Sequence, residues 1–543
     1  MTQPALAGTP GPDVTAPVPR AAAARAAERL PAVAWWLFAA LPAGLALLAA
    51  VRAPRMHVLL DYWHVFAKIT DDNGRLLLGQ VFTYHLDQPF VVPSLLFYAD
   101  AAWFGGDNRV LTVLSVLLLA VAVVALRTML PKHPARDALT AALAWLLFSS
   151  HATELWLQGT NGISWVPAVT SCAIAVACAH RGRLAGAAAA AVVGCLCFGA
   201  ALPIWFVLAF VAWLRGESRL RIALPAAAGV VVLGAWWLTK PAGTQSGATA
   251  AFDPDGRLSV VTAAVGGLWS ADVAVVAVIA GGCTLALLGL LLRRTVTARP
   301  AADAGWAGLA LYAFALAAML ALGRTTANVP GGNVGLISRY VLVAALATSA
   351  LTVLATLHRP QWPHRYVVAA VVTLALVTHA IGGAKADEVR RSYAPLGLAA
   401  VALRVDAPAA LEALHIQRAA APAARALGAY PFSSAFTLGC HGPELGSHVD
   451  LSTAQPVRGA LDAPPAAPGA IVTGWVAVDG TPPDCILVTD PAGTVTGGGT
   501  AGLPLPAGSA AASGATAWQA TAGPMAGPPT VLAAHGGRLF RIG

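Results

Sequence analysis

The stretch Leu30–Val51, LPAVAWWLFAALPAGLALLAAV, carries no charged residue and is followed at once by Arg52. A helix rising 1.5 Å per residue needs about 20 such residues to cross the roughly 30 Å of bilayer hydrocarbon, and this run supplies them. It is longer than the apolar core of a signal peptide, and no clear cleavage site follows it, so it reads as an uncleaved first membrane span. The whole chain agrees. Its 543 residues are 57% hydrophobic and 11% charged, with mean hydropathy +0.68, too few charges to cover a water-soluble globule of that size. Residues 1–29, rich in Ala, Pro, Gly and Thr with Arg20, Arg25 and Arg29, read as a disordered cytoplasmic tail.

Ten further apolar runs follow, at about 110–130, 138–150, 162–179, 184–200, 202–214, 222–239, 271–292, 304–323, 341–357 and 366–383. The run from 184 to 214 makes two spans only if it breaks near Gly199 and Pro203. Charge gives an independent test. With the N-terminus inside, alternate loops hold Lys132 and Arg136, then Arg181 and Arg183, then Arg215, Arg219 and Arg221, then Arg293, Arg294 and Arg299, then Arg359 and Arg365. The opposite loops hold Asp61, Asp71, Asp72 and Asp87, then Glu154, then Asp253 and Asp255, and the weakly charged Thr325–Ser338. That is the positive-inside pattern. The expected architecture is therefore a polytopic α-helical membrane domain over residues 30–384 with about 11 spans, facing a β-rich extracytoplasmic domain over 385–543. Within that last region Ala470–Val478 and Cys485–Thr489 read as strands, with turns at Asp479-Gly480 and Pro491-Ala492-Gly493.

The net charge of +9 lies in clusters between apolar runs rather than on one basic stripe, which argues against nucleic acid as a partner. Cys172, Cys178, Cys195, Cys197 and Cys283 fall in apolar runs and read as small hydrophobes. Cys440 and Cys485 are the one pair placed where an oxidising compartment allows a disulfide, paired or free. No Walker-type loop, His-Glu-x-x-His or extramembrane Cys-x-x-Cys occurs, which argues against a cytoplasmic nucleotide-driven mechanism.

The first external loop, residues 52–109, is too long for a mere connection. Tyr62–Ile69 and Val91–Trp103 show helical apolar spacing and are expected in the membrane interface, with Tyr and Trp at headgroup level. Asp61 lies at the boundary among apolar and aromatic neighbours, where an idle charge is costly. It is a candidate general base for an acceptor hydroxyl, or a ligand for a divalent cation, with His85 or Asp87 as its partner. Glu154, Trp156, Gln158 and Asn161, near His151, are candidates to line a cleft. Arg324, and Arg339 beside Tyr340, run against the positive-inside trend, which a lipid-borne phosphate would explain because guanidinium forks match phosphate oxygens.

These features resemble the GT-C superfamily of membrane glycosyltransferases. The resemblance rests on Asp61 after the first span, the long first loop, the Arg324 and Arg339 pair and the external tail. His85-Leu86-Asp87-Gln88, Pro93-Ser94-Leu95-Leu96-Phe97 and Phe104-Gly105-Gly106-Asp107-Asn108 look like a segment common in actinobacterial and proteobacterial membrane proteins of this kind, and Val472-Thr473-Gly474-Trp475 and Leu487–Gly499 look like their β-sandwich tails. The resemblance implies transfer of a sugar, mannose first, from a polyprenyl-phosphate donor to an external hydroxyl on a glycan, a secreted protein or a natural product. Many GT-C enzymes carry two adjacent acids after the first span; here Tyr62 follows Asp61, which leaves the cation as an open cofactor. A transporter or flippase for a lipid-linked solute and a noncatalytic envelope scaffold are the alternatives. Against transport, no convincing internal repeat is present, and the polar residues gather at external helix ends.

Overall fold

The computed structural model describes residues 19–132, 134–241, 254–270, 272–323, 332–359, 364–440, 442–463, 469–506, 511–525 and 527–543. Helix α1 (Pro19–Val51) begins well before the first apolar run. Residues 19–29, expected as disordered tail, are thus helical; their Ala-rich sequence has the strongest helix propensity available. The first loop folds into α2 (Leu60–Ile69), α3 (Leu78–Val81) and α4 (Val91–Trp103). Then come α5 (Asn108–Arg127), α6 (Arg136–Leu147), α7 (Thr153–Leu157), α8 (Gly159–His180), α9 (Leu184–Cys197), α10 (Ile204–Leu214), α11 (Arg219–Thr239), α12 (Pro254–Gly266), α13 (Ala274–Ala298), α14 (Ala304–Gly323), α15 (Val341–Leu357) and α16 (His364–Tyr393).

Among the described residues, eight helices are long and apolar enough to cross a membrane: α1, α5, α8, α11, α13, α14, α16, and α15 with the turn before it. Three of the expected spans form shorter helices. α6, α9 and α10 have 12, 14 and 11 residues, below the ~20 that span hydrocarbon unaided. α6 is buried along most of its length, as befits a core helix, and α9 and α10 are separated by a 3-10 turn at Gly199–Ala201, just before Pro203. α12 lies between the apolar runs at 222–239 and 271–292, where the sequence pattern indicates a loop. It packs on α13 through Gly266 and Gly281, where a Cβ would come within 1.9 Å of Ala277 O and 1.7 Å of Thr262 O; only glycine permits that crossing.

After α16 the chain forms α17 (Leu398–Arg404), α18 (Pro408–Ala413) and α19 (Ala421–Ala426). The 384/385 boundary therefore falls inside a helix, which runs on to Tyr393. The interfacial reading of the first loop also needs correction. Tyr62, Trp63, Phe66 and Phe97 do not face outward but are fully buried, in one apolar cluster with Ala399, Leu403, Leu411 and Ala424 from the C-terminal region. Burial of such large side chains contributes about 1.5–3 kcal/mol each, so loop and tail stabilise each other and the tail is no freestanding appendage.

Eight strands close the chain: β1 (Gln455–Pro456), β2 (Arg458–Leu461), β3 (Val472–Ala477), β4 (Cys485–Thr489), β5 (Val495–Leu503), β6 (Thr516–Ala522), β7 (Thr530–His535) and β8 (Arg538–Arg541). They form one sheet in the order β1-β8-β7-β4-β5-β6-β3-β2, antiparallel except for β1 with β8. Val457 alone separates β1 from β2 in sequence, although they sit at opposite edges of the sheet, so the sheet curls round until its edges meet. It encloses Val476, Ile486, Val488 and Trp518. The C-terminal region is thus β-rich, as its turn and strand signals imply. β4 is buried at every residue because its alternate side chains serve two cores: Ile486 and Val488 point into the curled sheet, Cys485 and Leu487 into a layer with Leu398 and Leu438.

Cys440 and Cys485 form a disulfide, which pins the segment before the sheet to its central strand across a separation of 45 residues. Blocking thiols under denaturing, nonreducing conditions should leave these two unlabelled while the free cysteines react. Cys485→Ser should lower the stability of the C-terminal domain by about 2–4 kcal/mol, read from its denaturant midpoint, because the unfolded chain regains the closed loop's entropy.

Candidate functional site

The site begins with the first turn of α2. Asp61 sits there, where the helix N-terminus favours a negative charge, and its side chain is 51% exposed. Its placement depends on a buried network that the sequence reading did not single out. Asp100, in the last turn of α4, faces His57 Nε2 with its Oδ2 at 2.9 Å and accepts a hydrogen bond from Tyr62 Oη at 3.3 Å. The Tyr62 ring stacks on His57 at 3.6 Å, and Trp63 Nε1 donates to the His57 carbonyl. Burial pushes the Asp100 carboxyl above the usual range, against the pull of His57. One signal was legible: an acid inside the apolar run Val91–Trp103 is costly without partners.

His85 and Asp87 come from a tight turn. His85 and Gln88 exchange both backbone hydrogen bonds, and Leu86 between them takes φ 57°, a left-handed conformation rare for a branched side chain. The turn is anchored from outside the loop. Gln88 Oε1 accepts from the Gly199 N–H at 3.1 Å, and Trp236 Nε1 donates to the Asp87 carbonyl at 2.7 Å. A Cβ on Gly199 would sit 2.2 Å from that Gln88 oxygen, so the break between α9 and α10 also seats this turn. His85 Nε2 is thereby brought 3.3 Å from Asp61 Oδ1. The facing imidazole holds the Asp61 carboxyl below the ordinary carboxylate range, outweighing the upward push of partial burial, and Arg339 adds to the lowering.

Asp61, His85 and Asp87 open onto a cavity of about 530 Å³ together with Asn161, Arg339 and Tyr340. Six of the ten residues expected at the site thus line one space. Asn161 is 5% exposed, and among the described residues its Nδ2 has no hydrogen-bond partner. The far wall is apolar, from Leu316, Met319 and Leu320 on α14. Size and lining suit a ligand with a polar end and a hydrocarbon end.

The other four residues fall elsewhere. Glu154 stands behind Arg339, its Oε2 3.4 Å from Nη1 and its Oε1 accepting from Tyr393 Oη, so it orients the guanidinium rather than lining the cleft. Ser338 Oγ joins the same wall, donating to the His151 carbonyl and accepting from the Glu154 N–H. Trp156 packs on Phe148 and lines a different groove. Gln158 is fully buried at the head of α8. Arg324 lies outside the described residues. Among those described, no three His, Cys, Asp or Glu side chains converge as a metal's ligands would.

Comparison with protein-family models, with curated proteins and with solved structures finds no match for this chain.

Proposed function

We propose that this protein is a membrane glycosyltransferase of GT-C type, which moves a sugar, mannose first, from a polyprenyl-phosphate donor to an acceptor hydroxyl on the external face. The observation that carries this reading is the single amphipathic cavity with Asp61 and His85 on its loop side, Arg339 and Asn161 on its helix side and an apolar wall on α14. Arg339 takes the donor phosphate and α14 its hydrocarbon chain. The acceptor oxygen attacks the anomeric carbon, the bond from that carbon to the phosphate oxygen breaks, and polyprenyl phosphate leaves carrying the electron pair. Asp61 removes the acceptor's proton. The reading places the N-terminus inside and the C-terminal domain outside, on the alternation of basic and acidic loops along the chain.

Purified protein supplied with labelled polyprenyl-phosphomannose and envelope acceptors tests the proposal. Label should appear in acceptor; movement of lipid-linked substrate across vesicles without transfer would favour the transporter instead. Arg339→Lys keeps a charge for Glu154 but loses the planar fork, so donor KM should rise roughly tenfold or more with a smaller change in kcat. An unchanged KM removes Arg339 from the donor site. Topology has its own check: a reporter fused at Gly543 should be active only outside the cytoplasm, and one fused after Arg299 only inside.

A further inference from the structure

A second groove lies on the other side of α7, between α1 and α16. Its floor is Phe148, Trp156 and Leu157, and its α1 wall runs from Pro42 to Arg52. The volume is about 480 Å³. Leu45 and Leu48 on that wall are each 43% exposed, so the groove opens sideways to whatever surrounds the helix bundle. At one end stand two arginines. Arg52 follows the last residue of the candidate span Val33–Val51 and, among the described residues, has no side-chain partner; Arg390 faces it from α16 and pairs with the exposed Asp387 at 2.6 Å. The mouth therefore keeps one net positive charge at the level where a span leaves hydrocarbon.

From this geometry we infer that the groove binds an anionic phospholipid of the leaflet that meets the Asp61 side, with its phosphate on Arg52 and Arg390 and one acyl chain over Trp156. Length supports the fit. Pro42 to Arg52 on α1 and His379 to Arg390 on α16 each rise about 15 Å along a helix, half of the roughly 30 Å hydrocarbon thickness and so one leaflet deep. Charge supports the choice of headgroup, since an unpaired guanidinium beside a carboxylate-neutralised one favours a phosphodiester bearing net negative charge over a zwitterion. The inference needs only the membrane reading and does not depend on the proposed sugar transfer. Trp156, expected in the catalytic cleft, gains a role here as the floor on which the chain lies.

The test uses the full chain in phosphatidylcholine vesicles containing lipid brominated on the acyl chain, offered either as phosphatidylglycerol or as phosphatidylcholine. Bromine quenches indole on contact, and the share due to Trp156 is the difference between wild type and Trp156→Phe. At equal mole fraction, brominated phosphatidylglycerol should quench that share about fivefold more effectively, the scale of one arginine near an anionic headgroup. Arg52→Gln, an exposed helix-end change, should abolish the preference. Should Trp156→Phe fail to fold, native mass spectrometry replaces it: wild type should retain phosphatidylglycerol and Arg52→Gln should not. Equal quenching by the two lipids, or a preference that survives in Arg52→Gln, overturns the inference. So does displacement of the brominated lipid by polyprenyl phosphate at a lower mole fraction than by phosphatidylglycerol, which would assign the groove to that carrier.

Discussion

Asp61→Asn should reduce sugar transfer on the order of 10²-fold or more, the usual scale for losing a general base, while donor binding persists. Asn keeps the size and hydrogen-bonding reach of Asp but cannot accept the acceptor's proton. Since the side chain is half exposed at the head of α2, the variant should fold normally. The pH profile supplies a second readout with a definite sign. His85 lowers the Asp61 pKa, so the base stays ionised below the ordinary carboxylate range and the acid limb of kcat/KM lies correspondingly low. His85→Ala removes the largest lowering contribution and leaves the upward push of burial, so that limb should move to higher pH. By the same sign, the stability that Asp61 contributes is present above its unfolded pKa and lost as pH falls through the folded one. Full transfer by Asp61→Asn would shift the base to Asp87, and an acid limb unmoved by His85→Ala would mean that the pair does not act together.

The helical positions were legible because lipid imposes a simple requirement, a run of apolar residues long enough to replace water along the whole backbone. Leu30–Val51, 304–323 and 341–357 meet it and form helices where expected. The short runs behind α6, α9 and α10 were harder, since an apolar stretch of 10–14 residues fits a buried core helix as well as a span. α12 is hard to read from sequence because Pro254-Asp255-Gly256-Arg257 opens it with turn-like and charged residues, which leaves too short an apolar run to stand out as a span. At the site, Asp61 and Arg339 stand out in the sequence as charges beside apolar runs, and His85 as an imidazole in the long first loop. What joins them does not. The contacts of Gln88 with Gly199 and of Glu154 with Arg339 and Tyr393 span 111, 185 and 239 positions, beyond any local periodicity. Aromatic residues of α2 looked interfacial because the chain that covers them, residues 399–436, follows more than 300 positions later.

Asp100→Ala should destabilise the first loop by about 1–3 kcal/mol for each buried polar group left without its partner, and should lower transfer although Asp100 does not line the cavity. Asp100 is 1% exposed, as are His57 and Tyr62, and one carboxylate oxygen serves both of them. Without it, the His57 imidazole and the Tyr62 hydroxyl stay buried unpaired, and α4 loses its tie to the first turn of α2, where Asp61 sits. Asp100→Asn is the informative companion. Burial raises the Asp100 pKa, a cost that falls on a charged carboxylate only, and an uncharged amide avoids it while still accepting from Tyr62. Asn should therefore keep most of the stability that Ala loses. The unfolding midpoint of purified protein and the transfer rate at saturating donor read the two effects separately. If the network positions Asp61, kcat should fall in Asp100→Ala, recover largely in Asp100→Asn, and leave donor KM nearly unchanged because Arg339 is held by Glu154 from another wall. Wild-type melting and wild-type kcat in Asp100→Ala together would show that α2 keeps its register without this carboxylate, and the placement of Asp61 would then rest on the His85 turn alone.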